Sequence, residues 1–536
     1  MTETLRTFRL DGEIASRAWG RVSPPVMLAW LVTLVVAVVL FFTLGMGVVS
    51  VFTAGGLLLV VFAATLELGD RKSWAAVRTH EVRKWIRTKG RWNVFIAEGH
   101  EHYGNPKVDP GWPRPTPVGD CVPLDLAGTG LDDLFVLHHK NPGEGRGYFS
   151  VVIRVEGVAS GLRGDSSYSA SSESFGGFLA ELARKSSHIR SVQMVHRSVG
   201  HDMSPRWRYF QRCLEAWPGP DPRLGKALDS FRSLLFLLTP NAQEHQSFVV
   251  LRFPSTKAFM AEAARSARAK GHKVAMPGGV AQVIRNETDR AVNLLVDAGM
   301  GRVEVLGERA VCAAIRGFLD PSHPLNRVKG ASWGSCFPSY KGERDSMLVE
   351  GIGPEGEVTR WRTRVGVVPA RAFKPQELTP LWMVQLLTGV RPDPGDMDVI
   401  PPTPTDRTIC VHIDLVEQSK AAEAAKLDYT KDSASVVKAQ QEGRITSGES
   451  ETMRSAAGRR HSDLLAGSGH HGAIFSMTVA VTAADEERVL MACTRVEEAA
   501  SSSGLSEVEW QTDAHDAAVF QTTLLGRGPA RTKWSK

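Results

Sequence analysis

The sequence predicts an α+β protein, an N-terminal transmembrane helical hairpin followed by cytoplasmic mixed α/β domains. Three observations predict it. Residues 22–66 contain no charged residue, β-rich runs alternate with long helical patterns beyond residue 121, and two Pro-rich stretches, 99–120 and 392–404, punctuate the chain.

Residues 1–23 form a tail carrying Arg6, Arg9, Arg17 and Arg21. The hairpin, 24–66, consists of two runs that are apolar on every side, Val26 to Phe42 and Val48 to Leu66, parted by Thr43-Leu44-Gly45-Met46-Gly47. A helix rises ~1.5 Å per residue, so about 20 residues cross a ~30 Å hydrocarbon core, and each run with its flanks is expected to span it. Val26, Leu28, Trp30, Phe42, Val48 and Phe62 are the side chains expected in the span, and Gly55 and Gly56 are expected to let the helices approach closely. A buried hairpin in a soluble core is the competing reading. Residues 67–98 read as a basic juxtamembrane helix in which Arg71, Lys72, Arg78, Arg83, Lys84 and Arg87 are expected to meet anionic lipid, at roughly 1 kcal/mol each. Because cations flank both ends of the hairpin, the expectation is a two-pass protein of the inner or plasma membrane with both termini cytoplasmic.

The Pro/Gly-rich stretch 99–120 prevents regular structure and reads as a linker. A first cytoplasmic α+β region, 121–391, opens with strands at Leu134–His138 and Tyr148–Val158, joined across the turn residues 141–145. A helix at Ser171–Lys185 and a strand at His188–Arg197 follow. This β, β, α, β pattern returns in outline further on. Helices are predicted at Arg206–Trp217, Ser255–Gly271, Glu287–Met300, Glu308–Leu319 and Pro375–Leu387, with strands at Ser247–Phe253 and Trp361–Val368. After the linker 392–404, a second α+β region, 405–528, holds strands at Thr408–Glu417 and Ala473–Thr482, a largely helical stretch from Ser419 to Gly467, and a helix at Asp485–Ser502. Residues 529–536 are a C-terminal tail.

With 536 residues the chain is long enough for two or three domains, and its 43% hydrophobic and 23% charged residues are ordinary for a globular protein. The net charge of +6 is modest, and much of the excess lies between Arg71 and Arg91, so no direct nucleic-acid partner is expected. Six scattered cysteines without a CxxC pair suit reduced thiols.

Motifs for chemistry are sparse. A phosphate-cradling GxxxxGK[ST] loop, which needs successive backbone amides at a helix start plus a lysine, does not occur. Gly351 to Gly356 matches GxGxxG, but Pro354 and the β-rich run after it replace the helix such a loop requires, so a hairpin turn is expected. Gly330-Ala331-Ser332-Trp333-Gly334 matches GxSxG, yet it follows a polar stretch rather than a buried strand. His100-Glu101-His102, His138-His139 and His470-His471 lack the spacing of a helical metal motif and read as exposed loop histidines. Asp132 with Asp133 reads as a turn, and Asp485-Glu486-Glu487 as a helix N-terminus, where negative charge meets the positive end of the macrodipole. No catalytic, cofactor-binding or metal-ligating residue is assigned.

Several segments carry a resemblance in order: Tyr148 to Gly157, Phe178 to Ala183, Ile189 to Gln193, Glu308 to Pro321, Trp361 to Pro369, Arg459 to Leu465, Phe475 to Val481 and Gln521 to Gly528. Together they make the region from Cys121 to Gly528 resemble the N-terminal, non-nucleotide-binding part of the large ATPase of type IV secretion and conjugation systems. The hairpin resembles the small two-helix inner-membrane subunit of the same machines. The chain departs from the ATPase in stopping where the nucleotide-binding motor would begin. The resemblance therefore implies a non-catalytic membrane scaffold that docks a separate motor ATPase and other translocon subunits as a homo- or hetero-oligomer, and it implies no cofactor. A composition rich in Ala, Gly, Val and Arg suits an actinobacterial source. Two alternatives stand beside this reading: the peripheral membrane component of type VII secretion, which also places two helices ahead of a large domain, and a membrane-associated enzyme whose active site forms only in three dimensions.

Overall fold

The computed structural model describes residues 8–10, 24–43, 47–65, scattered positions from 78 to 97, 114–141, 147–157, 165–200, 204–215, 222–238, 243–269, 275–322, 331–352, 358–369, 372–373, 376–378, 381–388, 406–441, 448–465 and 470–528. Most of the linker 99–120, all of 392–404, the tail 529–536, His100 to His102, and Arg71, Lys72, Arg83 and Lys84 lie outside these residues.

The chain divides into two compact units, residues 1–12 with 95–529, and residues 13–94 with 530–536. In the smaller unit, helices α1 (Pro24–Thr43) and α2 (Val48–Thr65) pack on each other. Trp30 Nε1 donates to Thr65 Oγ1 at 2.7 Å, and the Trp30 and Phe62 rings lie 5.5 Å apart. The expectation of a transmembrane hairpin is nevertheless overturned. Among the described residues no helix is long and apolar enough to cross a membrane. The 18 residues of α2 reach ~27 Å, short of a ~30 Å core. Nor do Gly55 and Gly56 serve a close approach, since a methyl group built on either meets nothing within 4 Å. The two-pass localisation with cytoplasmic termini falls with the hairpin.

The predicted class of mixed α/β domains is corrected as well. The larger unit is built on one 13-stranded sheet in which the named strands pair antiparallel. Its elements in chain order are β1 (Phe8–Leu10), β2 (Val94–Phe95), β3 (Asp120–Pro123), β4 (Leu137–Asn141), β5 (Tyr148–Val155), α3 (Asp165–Leu182), β6 (Ser191–Gly200), α4 (Ser204–Glu215), α5 (Pro222–Leu238) and β7 (Gln243–Pro254). Then come α6 (Lys257–Ala269), α7 (Gly278–Asp297), β8 (Val303–Val305), α8 (Glu308–Leu319), β9 (Tyr340–Gly342), β10 (Met347–Ile352), β11 (Val358–Val368), β12 (Gln376–Leu378) and α9 (Val384–Thr388). The chain ends with β13 (Asp406–Val416), α10 (Gln418–Gln441), α11 (Gly448–Asp463), β14 (Gly472–Ala483), α12 (Glu486–Ser502), β15 (Glu509–Trp510) and α13 (His515–Thr522). β1 pairs with β12 in a separate two-stranded sheet, which replaces the start of the helix predicted at Pro375–Leu387.

From one edge the large sheet runs β9-β10-β11-β14-β13-β6-β7-β5-β4-β3, with Phe95 of β2 beyond β9. Read outward from its centre, the order is β6-β7-β5-β4-β3 on one side and β13-β14-β11-β10-β9 on the other. Each half repeats the other's connections. A helical pair joins its two innermost strands, α4 with α5 in the first half and α10 with α11 in the second. A short strand adds to the third strand of each half, β8 on β5 and β15 on β11. A buried helix then follows that short strand, α8 or α13. The halves meet where β6 and β13 pair antiparallel from Ser191↔Asp414 to Ser198↔Arg407.

Strand alternation explains why both faces are covered. In β7, Phe248 and Val250 point to one face and Val249 and Leu251 to the other. The first face packs on α8 and α13 through Ile315, Phe318, Val519 and Phe520. The second packs on α3, α6 and α7 in one half and on α9 and α12 in the other. Each fully buried Leu, Ile or Phe contributes roughly 1.5–3 kcal/mol, so this two-sided burial sets the register of the whole sheet.

Candidate functional site

The helical pair α4 and α5 interrupts this burial. Its sequence gives it a narrow apolar seam: Trp207 and Phe210 lie one turn apart on α4, and Leu228 and Leu235 two turns apart on α5. Trp207 meets Phe210 edge-on at 6.2 Å, and Phe210 meets Phe231 at 5.6 Å. Outside the seam the pair is open, with Tyr209 62%, Leu214 43%, Phe231 44% and Leu234 47% exposed. Exposed cations alternate with these side chains: Arg206, Arg208, Arg212, Lys226 and Arg232. Their carboxylate company on the same helices is Glu215 and Asp229, and among the described residues none of the five cations forms an ion pair. Arg208, Gln211, Arg212 and Glu215, spaced along one face of α4, line an open hollow of ≈460 Å³. Such a surface offers guanidinium forks of a shape that suits carboxylates and uncovered Leu and Phe of a kind that suits aliphatic side chains.

Other clusters invite a chemical reading and fail on their electrostatics. Strand register brings Cys121, His139 and Tyr148 side by side on β3, β4 and β5. Cys121 Sγ lies 3.6 Å from His139 Nε2, which is 3.1 Å from Ser150 Oγ. The His139 ring stacks on Tyr148 at 4.1 Å, and Arg252 covers the other ring at 3.9 Å. A cysteine beside a histidine suggests a nucleophile and its base. Burial, however, pushes the Cys121 thiol up to about 12 and holds His139 well below the usual imidazole range. Both are neutral near pH 7 and closed off from solvent, so the pair packs the sheet. His138-His139 is thus a strand segment with a buried member, not an exposed loop.

A second histidine pair sits where β6 and β7 leave the core. His196 Nδ1 lies 3.0 Å from Ser247 Oγ, His245 Nδ1 lies 3.0 Å from Ser198 Oγ, and the two rings stack at 5.3 Å. Burial, His245 and Arg407 lower His196 to about 4, and burial and Arg407 lower His245. The Ser198 hydroxyl donates to Leu387 O at 2.8 Å, so it accepts from His245. Among the described residues no group of three or more His, Cys, Asp or Glu side chains is placed to hold a metal ion.

The larger hollow, ≈960 Å³, lies beside the start of α8, walled by Leu124, Leu134, Phe135 and Ala313 and rimmed by Asp125 and Asp132. It brings no nucleophile and base together. Asp133 at its edge is tied to Arg285 at 2.9 Å. Ser332 of the GxSxG match is exposed and hydrogen-bonds Ser335 Oγ at 3.0 Å rather than a base. The GxGxxG match falls between β10 and β11, which pair as an antiparallel hairpin. Asp485 caps α12 by accepting from the Arg488 amide at 2.8 Å.

Of the sites predicted from sequence, Val26, Leu28, Trp30, Phe42, Val48, Gly55, Gly56 and Phe62 lie on α1 and α2. Arg78 and Arg87 are described, and both interact with neighbours. The α4–α5 surface was not anticipated, although the run Arg206-Trp207-Arg208-Tyr209-Phe210-Gln211-Arg212 carries its signal, cations interleaved with aromatics. No protein-family model matches the chain, and no curated protein matches it either.

Proposed function

We propose that the protein is a non-catalytic scaffold subunit of a type IV secretion or conjugation-like translocon, and that it docks a separate motor ATPase through the α4–α5 pair. The observation that carries this reading is the exposed surface of aromatics and of cations without an ion pair among the described residues, on a helical pair that connects two central strands of the sheet. A body with an uncovered amphipathic surface on a folded frame is suited to holding a partner, because little conformational entropy is lost on its own side when the partner binds. The resemblance of the sheet-forming segments to the non-nucleotide-binding part of the secretion ATPase supports the choice of partner class.

The test is purification of the full chain from its host under mild conditions, with co-purifying proteins identified by mass spectrometry. A P-loop ATPase recovered in near-equal amount, together with other translocon subunits, is the expected result. Recovery of the protein without any ATPase overturns the proposal.

A further inference from the structure

Resting on that reading, we infer that the hollow along α4 receives an acidic amphipathic helix of the partner, packed antiparallel to α4. The charge order on α4 specifies it. Arg208 and Arg212 stand one turn apart, and Glu215 follows three residues later in the same hollow. An antiparallel helix that meets each of them with the opposite charge reads Lys-x-x-Glu-x-x-x-Glu from its N-terminus. Its two carboxylates face the guanidinium groups, and its lysine faces Glu215.

Leu214 adjoins Gln211 on the next turn and is 43% exposed, so it offers an apolar contact beside the charges. The 12 residues of α4 set the contact at about three turns, ~18 Å. The same features favour a protein helix over a nucleic-acid strand. A continuous polyanion would place phosphate against Glu215, and it would leave Leu214, Phe231 and Leu234 without apolar cover.

The experiment uses the full-length protein and a fluorescent synthetic helix of about five turns carrying Lys-x-x-Glu-x-x-x-Glu on one face with leucines beside it. Anisotropy is expected to show saturable 1:1 binding in the micromolar range. Arg208→Glu with Arg212→Glu should weaken it at least tenfold, and a peptide carrying Lys-x-x-Lys-x-x-x-Lys, whose first lysine still faces Glu215, should recover binding to that variant. All these positions are exposed, and an unchanged thermal midpoint confirms that the variant folds. Equal affinity of wild type and variant overturns the inference. So does a labelled single-stranded oligonucleotide that binds more tightly than the peptide at the same salt and loses its binding in the variant.

The two proposals separate cleanly. If the wild type recovers the ATPase from its host and the peptide does not bind, the docking-helix inference fails and the scaffold reading stands. If the peptide binds in a charge-specific way and no ATPase is recovered, the reverse holds.

Discussion

His515 is a buried side chain whose protonation the fold opposes. Its Nδ1 accepts a hydrogen bond from the Val365 backbone N–H at 3.0 Å, and burial together with the Arg364 charge lowers it to about 4. An imidazole takes up its proton near 6.5 once the chain unfolds, so between pH 6.5 and 4 the unfolded state binds more protons than the folded one. The stabilisation is therefore complete above about pH 6.5 and is lost as the pH falls, by roughly 3 kcal/mol at the lower limit. His515→Asn keeps an acceptor for Val365 and removes the titration. Its urea midpoint should fall less between pH 7 and pH 4.5 than that of the wild type. Parallel curves for the two proteins would mean that His515 does not govern acid sensitivity. None of this was legible in the sequence, where a lone histidine after Asp513 and Ala514 gives no sign of the amide it will meet 150 residues away.

At the scale of elements, a glutamine gathers the backbone of the segment that ends α13 and follows it. Gln193 Nε2 donates to the carbonyls of Gln521 and Thr523 at 2.9 and 2.8 Å, and its Oε1 accepts from the Gly526 N–H at 2.7 Å. Gly526 has φ +65, a conformation that favours glycine, and Tyr148 OH donates to the carbonyl of neighbouring Leu525 at 3.1 Å. The segment thus crosses the strands of the first half although α13 belongs to the second. Gln193→Leu would leave several buried backbone groups unpaired at about 1–3 kcal/mol each, so a loss of at least 3 kcal/mol in urea unfolding is expected. A loss below 1 kcal/mol would show that water or rearrangement replaces the glutamine. Local pattern was enough to place the strands now labelled β5, β7, β11, β13 and β14 and the helices α8 and α12, because period-2 alternation or helical spacing runs through each. It did not reveal α5, whose narrow seam and Gly225 leave a weak period, or the true start of α7. That helix begins at Gly278, well before the predicted Glu287, and a Cβ at Gly279 would lie 2.2 Å from the Ala263 carbonyl of α6. The glycine there marks a close helix crossing, which composition alone reads as a turn.

Across the whole molecule, the two halves are joined by the β6–β13 pairing and by a buried ion pair beside it. Arg197 Nη2 reaches Asp406 Oδ2 at 2.7 Å and the Gly317 carbonyl at 2.6 Å, with the guanidinium 4.9 Å above the Phe318 ring. Burial pulls the arginine down and pushes the aspartate up, the signature of charges kept out of water that still satisfy each other. Arg197→Met alone should cost about 3–5 kcal/mol by stranding Asp406, and Arg197→Met with Asp406→Leu should recover most of that. Denaturant unfolding of the two single variants and the double variant measures the coupling, and simple additivity would exclude it. The sequence suggested a recurring β, β, α, β outline, but pairing between strands more than 200 residues apart depends on three-dimensional packing that no local pattern carries. The helical hairpin shows the opposite failure. Hydropathy was read there as a membrane span, where the structure offers two helices joined by side chains such as Trp30, Phe62 and Thr65.

The repeated connectivity has a consequence for stoichiometry. An assembly made from two identical copies of one half would carry every substitution twice and would offer partners two equivalent places to bind. Covalent fusion lifts that constraint, and the two inserted helical pairs have diverged: α4 carries Arg206, Arg208 and Arg212 around Trp207 and Tyr209, whereas α10 is built largely of Ala, Lys and Ser. A partner that reads the Arg206-to-Arg212 pattern would therefore meet it in the first half and not in the second.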